Sequence, residues 1–204
     1  MELFSYIKQI LLEPAKFFTN LKKENKLGKT FLYLAILSLF SVVLSFFISE
    51  LMQPYGFALV EKVLGFEIPA IEQTLGWKIG TMAMGYLMGL GISFVIVAIL
   101  HVWLMLFSVP TQYIRTFQLY AYAKTPSFLF GWIPFIGGLA WIYEFVLLII
   151  GTQKVYGTAK KKAFWIYAIP IIFFMVLMIV VAALLFLTIN TLGPGIIRNL
   201  TALQ

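Results

Sequence analysis

A long uncharged apolar run near the N-terminus constrains this chain more than any other feature. It reads FLYLAILSLFSVVLSFFIS from Phe31 to Ser49 and meets no charge before Glu50. A helix needs about 20 apolar residues to cross the roughly 30 Å hydrocarbon layer of a membrane. Hydrophobic residues make up 62% of the sequence and charged residues 11%, whereas soluble domains average roughly 25% charged residues. The sequence therefore predicts an all-α integral membrane protein with one membrane domain.

Five apolar segments are predicted to be transmembrane helices. They lie at about residues 31–51, 79–107, 117–132, 136–151 and 164–189, so that 31–189 form the membrane domain. We expect residues 1–30 to form a cytoplasmic interfacial segment and residues 190–204 a short external tail. The connector at residues 52–78 carries Glu61, Glu67 and Glu72. Its apolar pieces are too short and too charged to cross, so we expect them to form interfacial helices.

The segment before the first span has the pattern of an amphipathic helix. Leu3, Ile7, Ile10 and Leu11 recur at helical spacing, and Lys8 lies on another face. Such a helix is predicted to lie in the membrane surface. A helix packed on the bundle fits the same pattern, and the pattern does not choose between them.

The distribution of basic residues predicts the orientation of the spans. With a cytoplasmic N-terminus, eleven of the fifteen lysines and arginines fall in cytoplasmic segments and only Lys62, Lys78 and Arg198 fall outside. Basic residues are retained on the cytoplasmic side of membranes. Five spans with the N-terminus inside and the C-terminus outside are therefore expected. The basic segments predict anionic lipid headgroups, and no nucleic acid, as their partner.

Three ionisable residues are predicted to lie within the membrane. If the third and fourth spans form a hairpin turning near Pro134, Lys124 and Glu144 are each ten residues from the turn, which puts both about 15 Å from the outer end. His101 has a similar depth when counted from the cytoplasmic end of the second span. We predict a candidate polar site of His101, Lys124 and Glu144. Its nearby hydroxyl donors are predicted to be Tyr120, Tyr122 and Tyr143, with Arg115 and Gln118 at its mouth.

The same residues have structural interpretations. A buried lysine–glutamate pair can fix helix register, Lys124 can extend its ammonium toward the membrane surface, and a lone histidine is commonly a hydrogen-bonded packing residue. Gly85 and Gly89 form a GxxxG pair that predicts close helix packing within the protein, with dimerisation as the alternative.

Motifs for catalysis are absent from the sequence. The chain has no cysteine, no aspartate and a single histidine, and it lacks HExxH, GxSxG and a phosphate-binding glycine loop. Thiol, metal-hydrolase and serine-triad chemistry therefore lack their residues. We expect no enzyme, no cofactor and no metal site.

Several motifs together resemble the Yip-domain family. They are PAKFF near the start, RTFQLYAYAKTP from Arg115 to Pro126, the turn IPFIGG, the W-x9-G of Trp141 to Gly151, and YGTAKKKA before the last apolar run. The resemblance implies five spans, a cytoplasmic N-terminus and, for some members, interaction with Ypt/Rab GTPases. This chain has only residues 1–30 before its first span and no DLYGP-like motif. That departure argues against a small-GTPase partner and favours a prokaryotic member in the plasma membrane.

The resulting functional hypothesis is membrane organisation, trafficking or protein interaction without catalysis, by a homo-oligomer or with other membrane proteins. The alternatives are a small transporter or channel that uses the His101, Lys124 and Glu144 site, and a lipid-binding protein whose cavity opens sideways or inward. A cavity that reaches both membrane faces would favour transport, and a dry closed core would favour interaction.

Overall fold

The computed structural model describes residues 2–22, 26–64 and 74–201. The helices in these ranges are α1 (Glu2–Leu12), α2 (Pro14–Asn20), α3 (Gly28–Leu64), α4 (Leu75–Leu106), α5 (Tyr113–Ala123), α6 (Thr125–Phe130), α7 (Ile136–Tyr156) and α8 (Lys160–Thr201). The chain divides into two compact units, Met1–Ala163 and Phe164–Gln204. The all-α prediction is confirmed.

Four helical segments of the described chain are long and apolar enough to cross a membrane. They are Gly28–Gln53, Leu75–Leu106, Ile136–Tyr156 and Lys160–Thr188, with mean hydropathies of 2.5, 2.3, 1.5 and 3.1. They correspond to four of the five predicted spans, and the multi-pass membrane assignment is confirmed. Helix α7 contains the predicted span at 136–151 and continues through polar residues to Tyr156.

The predicted span at 117–132 is not one helix. It is divided between α5 and α6, with the break at Lys124. Pro126 causes the break, since proline has no N–H to donate to the carbonyl of Tyr122 four residues earlier. The hydroxyl of Thr125 donates to that carbonyl instead, at 2.7 Å. Lys124 therefore lies at a helix junction, where the sequence predicted the interior of a span.

The N-terminal helices α1 and α2 pack against the other helices of the first compact unit. Ile10, Phe17 and Phe18 are buried and belong to one apolar cluster with Leu119 of α5 and Leu147 of α7. This packing is the second of the two arrangements that the N-terminal pattern allowed. Placement of the helix in the membrane surface remains a prediction.

Helix α5 occupies the centre of this unit. All of its residues from Thr116 to Ala123 are buried. Its Phe117 and Tyr120 pack with Leu34 of α3 and Val97 of α4 in a second apolar cluster. A short central helix thus contacts α3, α4 and α7, which positions the polar groups at its C-terminal end.

Close helix packing occurs at Gly151 and not at the predicted glycine pair. A Cβ atom added at Gly151 would lie 2.2 Å from Leu119 Cδ1 and 3.2 Å from Phe18 Cε1. A Cβ atom at Gly85 or Gly89 would meet no described atom within 4 Å. The GxxxG prediction of close packing within the protein is therefore not what the described structure contains.

The connector after the first span is only partly described. The backbone of α3 continues as helix to Leu64, so its first half extends α3 where a separate interfacial helix was expected. Glu67 and Glu72 lie outside the described residues.

Candidate functional site: an ion pair beside a polar cavity

An ion pair lies at the junction of α5 and α6. Lys124 Nζ is 2.9 Å from Glu144 Oε1 of α7, and Ser127 Oγ donates to the other carboxylate oxygen. The side chain of Glu144 is 8% exposed and that of Lys124 27% exposed. The ring of Tyr120 lies 5.7 Å from the ammonium, within the range of a cation–π contact. The carboxylate is thus enclosed by its partners, while the ammonium retains an open side.

A hydrogen bond between α3 and α6 holds this junction in place. Thr125 donates its only hydroxyl proton to Tyr122 O, so the Tyr33 hydroxyl must donate to Thr125 Oγ1, at a distance of 2.7 Å. Tyr33 belongs to α3. Thr125 therefore satisfies the carbonyl group that Pro126 leaves without a donor, and it also attaches the α5–α6 junction to α3. This attachment gives Lys124 a defined orientation.

The open side of Lys124 faces a cavity of about 230 Å³. The cavity lies between α3, α4 and the α5–α6 junction, and its wall combines apolar side chains, among them Leu34 and Phe128, with hydroxyl groups, two glycines and the Lys124 ammonium. Gly85 and Gly89 are exposed, so the cavity opens sideways between α3 and α4. Its polar and glycine lining consists of Ser38, Ser41, Gly85, Tyr86, Gly89, Ser93, Tyr120 and Lys124.

A second cavity, a shallow open one of about 430 Å³, lies farther along the same two helices. It contains an ion pair between Glu50 of α3 and Lys78 of α4 and is also lined by Ser45, Ser49 and Thr81. Val42 lines both cavities. The two cavities are therefore neighbours along one face of α3 and α4.

His101 does not contact the Lys124–Glu144 pair. Its Nδ1 lies 3.1 Å from Thr116 Oγ1, in a hydroxyl cluster that includes Thr111 and Tyr156. The predicted depth was wrong because α5 begins at Tyr113, earlier than the sequence indicated. His101 is therefore about 7.5 Å from the end of α4, while Lys124 is about 16.5 Å from the start of α5.

Arg115 and Gln118 also have a role that differs from the prediction. Arg115 Nη1 donates to Leu21 O at 2.9 Å and to Gln118 Oε1 at 3.2 Å. Gln118 Nε2 donates to Lys22 O at 3.1 Å. These side chains hold the segment after α2 against α5, and neither lines the cavity.

The three predicted tyrosines do not share one site. Tyr120 lines the cavity. The ring of Tyr122 packs against Phe17 and Tyr33, with centroid distances of 5.1 and 4.9 Å. The Tyr143 hydroxyl donates to Leu11 O at 2.8 Å, which attaches α7 to α1.

Sequence reasoning missed Ser127 and the cavity serines. Ser127 lies three residues after Lys124, a spacing that shares a helix face, so it could have been found beside the pair. Ser38, Ser41, Ser45 and Ser49 recur at intervals of three and four in α3, which is the same signal. In the described part of the chain, no three histidine or carboxylate side chains come together as metal ligands.

The family model described as "Yip1 domain" matches residues 8–189. This match covers every helix around the ion pair and both cavities. No curated protein and no solved structure matches the chain.

Proposed function

The chain belongs to the Yip1 domain family, and from this premise we propose that it organises membranes by binding a phospholipid headgroup, without catalysis. The proposed site is the cavity beside Lys124. One observation carries the proposal: the ammonium of Lys124, paired with a buried glutamate, lines a partly polar cavity that opens sideways between two apolar helices.

The chemistry of the cavity suits a phosphate group. An ammonium has three N–H donors, and the contact with Glu144 Oε1 uses one of them. Lysine is a regular phosphate ligand because it acts as a point charge. Hydroxyl groups of Ser41 and Tyr120 line the same cavity and can bond phosphate or glycerol oxygens. A lipid phosphate beside Lys124 would therefore replace water without leaving the ammonium unsolvated.

The size of the cavity suits a small polar group, and its sideways opening suits one that carries acyl chains. At roughly 30 Å³ per water molecule, its volume of about 230 Å³ corresponds to about eight waters. Pockets for drug-sized molecules begin at roughly 300 Å³. A small polar headgroup fits such a space, and its acyl chains would extend through the sideways opening at Gly85 and Gly89.

The trafficking and protein-interaction hypotheses predict a protein interior without such a cavity. Association through the outer faces of the spans needs only a dry closed core, and a polar cavity at membrane depth adds nothing to it. The sideways cavity thus favours lipid binding over association alone, and over a transporter whose cavity reaches both membrane faces.

We also propose that α5 and α6 together form a fifth crossing, with the N-terminus cytoplasmic and the C-terminus outside. Residues 113–130 would extend about 27 Å as helix, close to the roughly 30 Å hydrocarbon layer. The chain has no cysteine, so single cysteines can be introduced for labelling. Lys160→Cys should react from the cytoplasmic side and Lys62→Cys from the outside. If both cysteines react from the same side of the membrane, this topology is excluded.

The headgroup site is tested by identifying the lipids that co-purify with the protein. Mass spectrometry of the wild type should find a bound phospholipid. In a double variant with Lys124→Met and Glu144→Leu, both charges are removed together, which keeps a buried pair from leaving one charge unpaired. This variant should fold and lose the lipid. A folded double variant that retains the lipid in the same amount would contradict the proposal.

A further inference from the structure

We propose that the shared face of α3 and α4 is a path along which phospholipid headgroups pass between the two leaflets, while their acyl tails remain in the bilayer. The path connects the two cavities, whose linings share Val42. The inference rests on the proposed headgroup site at Lys124 and adds to it transfer across the membrane.

The polar groups of α3 are concentrated on this face. All four serines of the helix, Ser38, Ser41, Ser45 and Ser49, line one of the two cavities. Their intervals of three and four residues place them on one side of the helix. The lining of α3 runs from Leu34 to Glu50, which is about 24 Å of helix. It therefore covers most of the roughly 30 Å hydrocarbon thickness.

Helix α4 completes the path from the other side. Its lining residues run from Lys78 to Ser93 and include Thr81, Gly85 and Gly89. A Cβ atom at either glycine would meet no described atom within 4 Å, so these positions leave space where a side chain would project. Ser45, Ser49 and both glycines are exposed. A headgroup in this groove would thus contact polar atoms while its tails meet the surrounding lipid.

Packing alone does not account for this pattern. Ser38, Ser49 and Ser93 donate to carbonyl oxygens of their own helices, which makes each serine tolerable in a membrane. That explanation allows serines on any face and requires no cavity. Here they gather on one face beside cavities of about 430 and 230 Å³. A serine that donates its proton still has an oxygen that accepts from a headgroup.

An ion pair lies beside each of the two cavities. Glu50 and Lys78 form the pair in one cavity, and Lys124 beside the other cavity pairs with Glu144. Each pair presents an ammonium that can bond a lipid phosphate. A charged group in hydrocarbon is costly, so a headgroup would cross slowly in pure lipid. Two ammonium groups, with hydroxyl groups between them, would divide the free-energy barrier to headgroup transfer into smaller steps.

The test measures lipid transfer in vesicles of phosphatidylcholine and phosphatidylglycerol that contain a trace of tail-labelled fluorescent phosphatidylcholine. Dithionite bleaches the outer leaflet, and a probe that moves outward is bleached as well. Protein-containing vesicles should lose nearly all fluorescence, whereas protein-free vesicles should keep the inner-leaflet share. A water-soluble fluorophore trapped inside must stay protected, which shows that dithionite has not entered.

The chain offers a matched pair of variants for this assay. Gly89→Leu would fill the groove, and Gly91→Leu would add the same side chain two residues away on α4, outside both cavities. Both glycines are exposed and have open space for a Cβ atom, so both variants should fold. We expect Gly89→Leu to slow transfer about tenfold or more, the effect of a barrier raised by about 1.4 kcal/mol. Gly91→Leu should transfer lipid like the wild type.

The possible results separate the path from the headgroup site. Equal rates for the two glycine variants, or wild-type protein no faster than protein-free vesicles, would overturn the path. If the wild type still retains lipid in a manner that depends on Lys124, the headgroup site stands without the path. Lipid retention that is independent of Lys124 would reject the headgroup site and the part of the path that depends on it, even if Gly89→Leu still blocks transfer.

Discussion

Replacing Glu144 with glutamine removes the counter-ion of Lys124 while keeping the size of the side chain. Glutamine can still accept the hydrogen bond from Ser127, so the change isolates the charge. Breaking a buried ion pair from one side costs about 3–5 kcal/mol. The remaining Lys124 is 27% exposed and lines a partly polar cavity, where water can solvate it. We therefore expect Glu144→Gln to lower the free energy of unfolding by about 3 kcal/mol, the lower end of that range.

Replacing Lys124 should destabilise the protein more than replacing Glu144. Lys124→Met leaves a carboxylate that is only 8% exposed and has Ser127 as its remaining donor, so about 5 kcal/mol is expected. Removing both charges with Lys124→Met and Glu144→Leu should restore most of the stability, because similar apolar side chains commonly replace a buried pair without loss. The order of stability is therefore wild type and double variant, then Glu144→Gln, then Lys124→Met.

Unfolding in mixed micelles, followed by tryptophan fluorescence, measures these differences. At about 2–4 °C per kcal/mol for a protein of this size, Glu144→Gln should lower the melting temperature by about 6–12 °C. Adding the single variant Glu144→Leu completes a double-mutant cycle with the wild type, Lys124→Met and the double variant, and its coupling free energy reports the pair itself. Losses below about 1 kcal/mol in both single variants, as for a surface pair, would refute the reasoning from burial.

Three further predictions concern packing and hydrogen bonds. Gly151→Ala should destabilise the protein by about 1–3 kcal/mol by overpacking against Leu119, and Gly89→Ala should be tolerated; equal melting temperatures would contradict the contact. Arg115→Met should release the segment after α2 and speed tryptic cleavage at the lysines there, with Arg115→Lys as the conservative control; unchanged cleavage would exclude that role. Thr116→Val should cost about 1–3 kcal/mol by leaving hydroxyl partners unsatisfied, whereas Thr116→Ser should not, and calorimetry distinguishes the two.

The positions of the long spans could be predicted because length and hydropathy belong to each segment by itself. Four predicted segments correspond to helices that can cross a membrane. The break at Lys124 was not predicted, although Pro126 was visible in the sequence. A proline in an apolar helix can produce a kink or a break, and here the hydroxyls of Thr125 and Tyr33 stabilise the break.

Depth counting succeeded for one pair and failed for another. Lys124 and Glu144 flank a single short turn, so an error in the helix ends shifts both counts alike, and the structure brings the two together. His101 and Lys124 were counted from ends on opposite sides of a longer loop. Because α5 begins early, at Tyr113, Lys124 is farther from its helix end than predicted, while the count for His101 is almost unchanged. His101 lies beside Thr116 instead.

The sequence by itself determined the membrane class, the positions of four long apolar helices and the family, because these depend on local composition and on motifs along the chain. Only the tertiary structure decided which helix faces meet. Spacing places Ser38 and Ser41 on one side of α3, but it does not say whether that side meets protein, lipid or a cavity. Rotation about each helix axis is chosen by packing of the whole bundle, and that choice put close contact at Gly151 and open space at Gly89.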